Sequence, residues 1–120
     1  MHNDKYNLEE RTAKFGENII MFCRKIKVDE ITRPIINQLI RSGTSIGSNY
    51  CEADDAESRN DFKHKIGIVK KEARETKHWL RMILTAVPNL DNETKVLWQE
   101  AKELHLIFNA VINSTKKNSH

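Results

Sequence analysis

No run of this chain approaches the roughly 18 apolar residues that a bilayer-spanning helix requires, so no membrane role is expected. Cysteine is scarce, with only Cys23 and Cys51 present. Two thiols make no disulfide framework and fall short of a four-ligand zinc site, so both are expected to be reduced, minor packing residues. Glycine numbers four, and Gly16, Gly43, Gly47 and Gly67 all fall inside helical patterns. That excludes a phosphate-cradling glycine loop. Strand-like alternation, Gly/Ser linkers, low-complexity segments and short internal repeats are all missing. The amino-terminal MHNDKYNLEERT is charged and lacks the apolar core of a secretory signal. A cytoplasmic location is therefore expected.

What is present suits a globular helical protein. The chain is 38% hydrophobic and 31% charged, too apolar for disorder and too polar for a membrane protein. Its 120 residues are expected to form one domain over 1–120. The net charge is +3, which is informative only through its distribution.

Apolar residues recur at alternating steps of four and three, the helical heptad pattern. Leu8, Thr12, Phe15, Ile19, Phe22 and Ile26 mark a first helix over about 8–26. Ile36, Leu39, Gly43, Ile46, Tyr50 and Ala53 mark a second over about 34–55, with Pro34 in its first turn and Thr32 or a neighbour as its cap. Ser58 and Asp61 resemble a capping box that opens a third over about 58–87. Its row is Phe62, Ile66, Val69, Ala73, Thr76, Leu80, Ile83 and Val87, and Pro88 ends it. Leu97, Ala101, Leu104, Phe108, Val111 and Thr115 define a fourth over about 92–115, and the tail 116–120 is expected to fray. Four such helices with short connections predict an all-α, antiparallel up-down-up-down four-helix bundle.

The second helix carries an unusual polar row beside its apolar one: Gln38, Ser42, Ser45, Asn49 and Glu52. Buried polar groups must be paired, so this stripe is expected to be a hydrogen-bonding seam within the chain or between subunits, with Asn49 fixing register. The alternative is a contact to a small ligand or RNA. On the third helix, Lys63, Lys70, Lys71, Arg74, Lys77 and Arg81 share one flank without an acid among them. The stripe is about 27 Å long at 1.5 Å per residue, a spacing suited to several phosphates. No aromatic residue interleaves it, because Trp79 lies on the opposite flank with Ile68 and Met82. Its plain alternative is a solvated face, or one that pairs with acids on a neighbouring helix. Ile20, Met21 and Leu106 also lie off their rows, and those left exposed would suit self-association.

Catalytic constellations are weak. Glu75 and His78 have a di-iron spacing, but the second pair and the further glutamates are missing, so no metal is expected. Ser42 or Ser45 with a histidine lacks any nucleophile-elbow turn. Neither a catalytic residue nor a cofactor is expected.

The segments QLIRSGTSIGSNYCEA and SRNDFKHKIGIVKKEARETKHWL resemble the bacterial four-helix bundle family whose founding members are encoded in intervening sequences of 23S ribosomal RNA genes. Gln38-Leu39, Arg41-Ser42, Ser45-Ile46, Asn49, Glu52, Asp61-Phe62 and the pattern from Ala73 to Leu80 carry the resemblance. Tyr50 and Ala53 depart from the family's usual isoleucine and glycine. The resemblance covers residues 6 to 113 and implies a four-helix bundle, a ring-like homopentamer and a connection to RNA or the ribosome. The combined expectation is a non-enzymatic, self-assembling protein that contacts RNA through the basic face of its third helix. The alternative is a structural protein–protein interaction module or accessory subunit with no nucleic-acid role.

Overall fold

A computed structural model describes residues 7–117, with side chains described up to Thr115. The expected fraying of the tail therefore falls largely outside the described residues. Four helices follow in order: α1 (Leu8–Cys23), α2 (Thr32–Asp54), α3 (Arg59–Ala86) and α4 (Asp91–Lys117). A short 3-10 turn over Pro88–Leu90 joins α3 to α4. Successive helices run antiparallel and pack extensively as α1–α2, α2–α3 and α3–α4, whereas α1 and α4 touch only slightly. The up-down-up-down bundle is thus an array of three helical hairpins whose last seam is loose.

The heptad rows form the core. Phe15, Ile19, Leu39, Ile46, Ile66, Leu80, Leu104 and Phe108 are all sealed from solvent. Residues near the row ends, Phe62, Val87, Val111 and Thr115, are half-buried. Buried threonines fit this interior by returning their hydroxyls to the preceding turn: Thr12 donates to the Leu8 carbonyl at 2.7 Å and Thr76 to that of Glu72 at 2.8 Å. Tyr50 reaches across to α4 and tilts against Phe108, with ring centroids 5.6 Å apart.

Helix ends follow local chemistry, with two departures from the pattern. α1 stops at Cys23 because Lys25 N–H and Ile26 N–H bond three residues back, to Phe22 and Cys23. This tightened last turn still buries Ile26. α2 is capped by Asp29, not Thr32. The Asp29 carboxylate accepts the Ile31 and Thr32 N–H groups at 2.9 Å. The Thr32 hydroxyl accepts the Asp29 N–H in return, also at 2.9 Å, a reciprocal box of the kind that secures helix starts. These donors hold the Asp29 carboxyl below the usual carboxylate range. For α3 the expected cap is present, with Ser58 Oγ accepting the Asp61 N–H at 3.0 Å.

Where α1 crosses α2, small residues bring the backbones close. A β-carbon on Gly43 would meet Ile19 Cγ1 at 2.9 Å, so this position admits nothing larger without displacing a core side chain. Cys23 is buried, and burial pushes its thiol up to about 11. Cys51 departs from expectation: it is exposed, beside the α1–α2 groove, and is not part of the core. Among the described residues, no helix is long and apolar enough to cross a membrane.

Candidate nucleic-acid interface

α3 divides its charges between its two flanks, and the division follows from which neighbour each flank faces. Toward α2, Glu72 is buried yet charged-partnered: Arg41 Nη1 reaches its carboxylate at 3.2 Å, and Arg41 Nη2 reaches Glu75 at 2.6 Å. Lys65 bridges Asp61 at 3.4 Å, one turn away, and stands 4.0 Å from Glu52 of α2. This flank is internally neutralised.

The helix-2 polar row lies along the same α2–α3 seam but is not uniformly buried. Ser42 is sealed, and its hydroxyl oxygen lies 3.0 Å from that of Thr76 and 3.4 Å from the Leu39 carbonyl; with the Thr76 proton on the Glu72 carbonyl, Ser42 is the donor across the seam. Gln38 is exposed and accepts from Arg41 Nε at 3.2 Å. Ser45 and Asn49 are half-buried and turn inward on their own helix, to the Arg41 and Ser45 carbonyls. Glu52 is exposed. The cross-helix hydrogen bond is therefore made by Ser42, while Asn49 makes none to another helix among the described residues.

The other flank, toward α4, is different in kind. Among the described residues, no acid lies within salt-bridge distance of Lys63, Lys70, Lys71, Arg74, Lys77 or Arg81. Lys71, Arg74 and Arg81 are exposed, and the other three are half-buried along their stems. α4 places no acid on these six cations: Glu93, Glu100 and Glu103 turn to α1, and Asp91 pairs with Lys95 of α4 itself. Glu100 takes Arg11 through two contacts of 2.8 Å, Glu103 takes Arg11 at 3.0 Å, and Glu93 takes Lys25 at 2.7 Å.

What α4 does present to the stripe is more positive charge, an imidazole and an aromatic ring. Lys77 Nζ and Lys102 Nζ stand 5.5 and 5.6 Å from the centre of the Trp98 ring, within cation–π range. Lys95 stands on the same helix, 3.7 Å from Asp91. His105 is half-buried, and its imidazole is held below its ordinary value by desolvation first and then by Lys77, Lys70 and Arg74. The expectation that no aromatic interleaves the stripe is thus corrected: α3 itself offers none, but α4 inserts Trp98. Lys95, Trp98, Lys102 and His105 step by three and four and so share one face of α4. They join the stripe only through the packing of α4 on α3.

The outlying apolar residues separate into two groups. Ile68, Trp79 and Met82 are half-buried beside the core, and the Trp79 indole N–H is buried without a partner among the described residues. Ile20, Met21 and Leu106 stay exposed, joined by Val96 at 70% exposure and Ile31 at 69%. Glu75 is committed to Arg41. No group of three or more potential ligands able to hold a metal occurs among the described residues.

A family model described as 23S rRNA-intervening sequence protein matches residues 5–110. Among solved structures, a protein of unknown function from the S23 ribosomal protein family of Bacteroides thetaiotaomicron is 28% identical to this chain. The two superpose with a TM-score of 0.75, covering 87% of this chain and 96% of that one. No curated protein matches the sequence.

Proposed function

We propose that this chain, which belongs to the 23S rRNA-intervening sequence protein family, is a non-enzymatic, self-assembling cytoplasmic protein whose α3–α4 face engages the phosphate backbone of RNA. The observation that carries the reading is the un-neutralised basic flank of α3. Six cations lack an acid within ion-pairing distance among the described residues, whereas Arg11, Lys25, Arg41, Lys65 and Lys95 each have one. A face that paired with its neighbour helix would share acids with α4, and Glu93, Glu100 and Glu103 of α4 pair with α1 instead. Cations at successive turns lie about 5.4 Å apart along α3, close enough to meet several phosphates. Such contacts position a strand without reading its sequence.

Repetition of the face around a homopentamer would raise a weak site to a useful avidity. The exposed Ile20, Met21, Val96 and Leu106 support self-association. They equally favour the second reading, a protein–protein interaction module with no nucleic-acid role.

The test is RNA binding by fluorescence anisotropy from low to physiological salt. Affinity should fall steeply with salt, with a slope of about 0.7 per phosphate neutralised on a single strand. Replacing Lys70, Arg74 and Lys77 together by Glu should abolish binding while leaving the helical content unchanged, because none of the three occupies the apolar row. Absence of binding at low salt, or equal binding by wild type and triple variant, would leave the interaction-module reading in its place.

A further inference from the structure

The α3–α4 face contains a pocket as well as charge. At the end of the hairpin formed by these two helices, Leu80, Arg81, Leu84, Thr94, Lys95 and Trp98 enclose about 320 Å³. That is the low end of the range of ligand clefts, room for one flat ring system. Its floor is apolar. The Thr94 hydroxyl is already committed to the Leu90 carbonyl at 2.7 Å, so the donors left to a ligand are those of Arg81, Lys95 and the Trp98 indole. Arg81 and Lys95 flank the mouth, and Lys77 and Lys102 stand over the neighbouring Trp98 ring.

We infer that this pocket takes an unstacked base of single-stranded RNA, stacked on Trp98, with the adjoining phosphates held by Arg81, Lys95, Lys77 and Lys102. The inference rests on the α3–α4 face being a nucleic-acid surface and adds to it the strandedness of the ligand. An aromatic ring bordered by several cations matches the alternation of base and phosphate along a single strand. A duplex keeps its bases stacked and offers none to such a pocket. Lysine cation–π contacts at a half-open ring are weaker than base stacking. The two ammonium groups can therefore yield the ring and turn to phosphate. With an apolar floor and the cations engaged on phosphate, stacking should outweigh readout of the base edge.

The experiment compares a labelled single-stranded hexanucleotide with an abasic hexamer of equal charge, by anisotropy, on the full chain. Wild type should bind the base-bearing strand roughly tenfold tighter, the effect of one stacked base. Trp98→Leu should reduce that affinity to the abasic level and leave abasic binding unchanged, and Trp98→Phe should restore part of the difference. Equal binding of both strands by wild type overturns the pocket assignment while the electrostatic reading stands. A base preference that survives in a folded Trp98→Leu variant overturns it as well. Binding of neither strand overturns both readings. If Trp98→Leu fails to fold, the wild-type contrast together with Trp98→Phe still decides.

Discussion

Gly43 and Gly67 show how little a residue's identity says until its neighbours are known. At Gly43 an added β-carbon would lie 2.9 Å from Ile19 Cγ1, on a side chain sealed in the core and branched at its root. At Gly67 it would meet nothing within 4 Å. Gly43→Ala should therefore destabilise by about 1 kcal/mol, since overpacking outweighs the gain in helix propensity. Gly67→Ala should stabilise by about 0.5–1 kcal/mol. Urea midpoints at unchanged slope check both, and shifts of the same sign would contradict the α1–α2 contact. The heptad rows were legible because each helix carries its own packing period. The capping Asp29 was missed because it lies two residues before Ile31, outside any apolar row. Asn49 bonds the Ser45 carbonyl on its own helix, and sequence cannot tell such a bond from one across a seam between helices or subunits.

At the scale of the element, the α3–α4 pair couples charge to protonation. Free of ligand, His105 faces Lys70, Arg74 and Lys77, and its proton is disfavoured by desolvation and by those cations. Its folded pKa is depressed, so the stability it contributes is fully present above the unfolded value of about 6.5. That stability is lost as pH falls through the folded value. A bound polyanion offsets the same cations and should raise the pKa, so RNA binding takes up a proton. Affinity should accordingly rise as pH falls below about 6.5, and His105→Gln should flatten part of that rise. Imidazole titration by NMR, with and without RNA, is the direct measurement. An unmoved pKa would place the ligand elsewhere. The α3 half of this face was visible in the sequence as a row of cations without acids. The α4 half was not, because Trp98, Lys102 and His105 become neighbours of the stripe only once the rotation of one helix against the other is known.

Across the whole molecule, assembly and internal cohesion are separate questions. The exposed Ile20 and Met21 of α1, with Val96 and Leu106 of α4, predict that light scattering at micromolar concentration will give a multiple of the 14.0 kDa chain, five-fold by family likeness. A monomer mass would defeat self-assembly, and a dimer or tetramer would defeat only the number. Within one chain, α1 packs extensively on α2 but only slightly on α4. The α1–α4 side is spanned chiefly by the Arg11 and Lys25 ion pairs, over a groove of about 680 Å³. The exposed Lys25–Glu93 pair holds weakly, so this side leans on the two-pronged, part-buried Arg11–Glu100 pair. On the clock of amide hydrogen exchange, the chain should therefore behave as two cooperative units. Mass spectrometry of deuterium uptake should find α1 opening as a block, its amides exchanging ahead of those in the middle of α2, α3 and α4. Salt should hasten α1 and leave the other three at the rate of global unfolding.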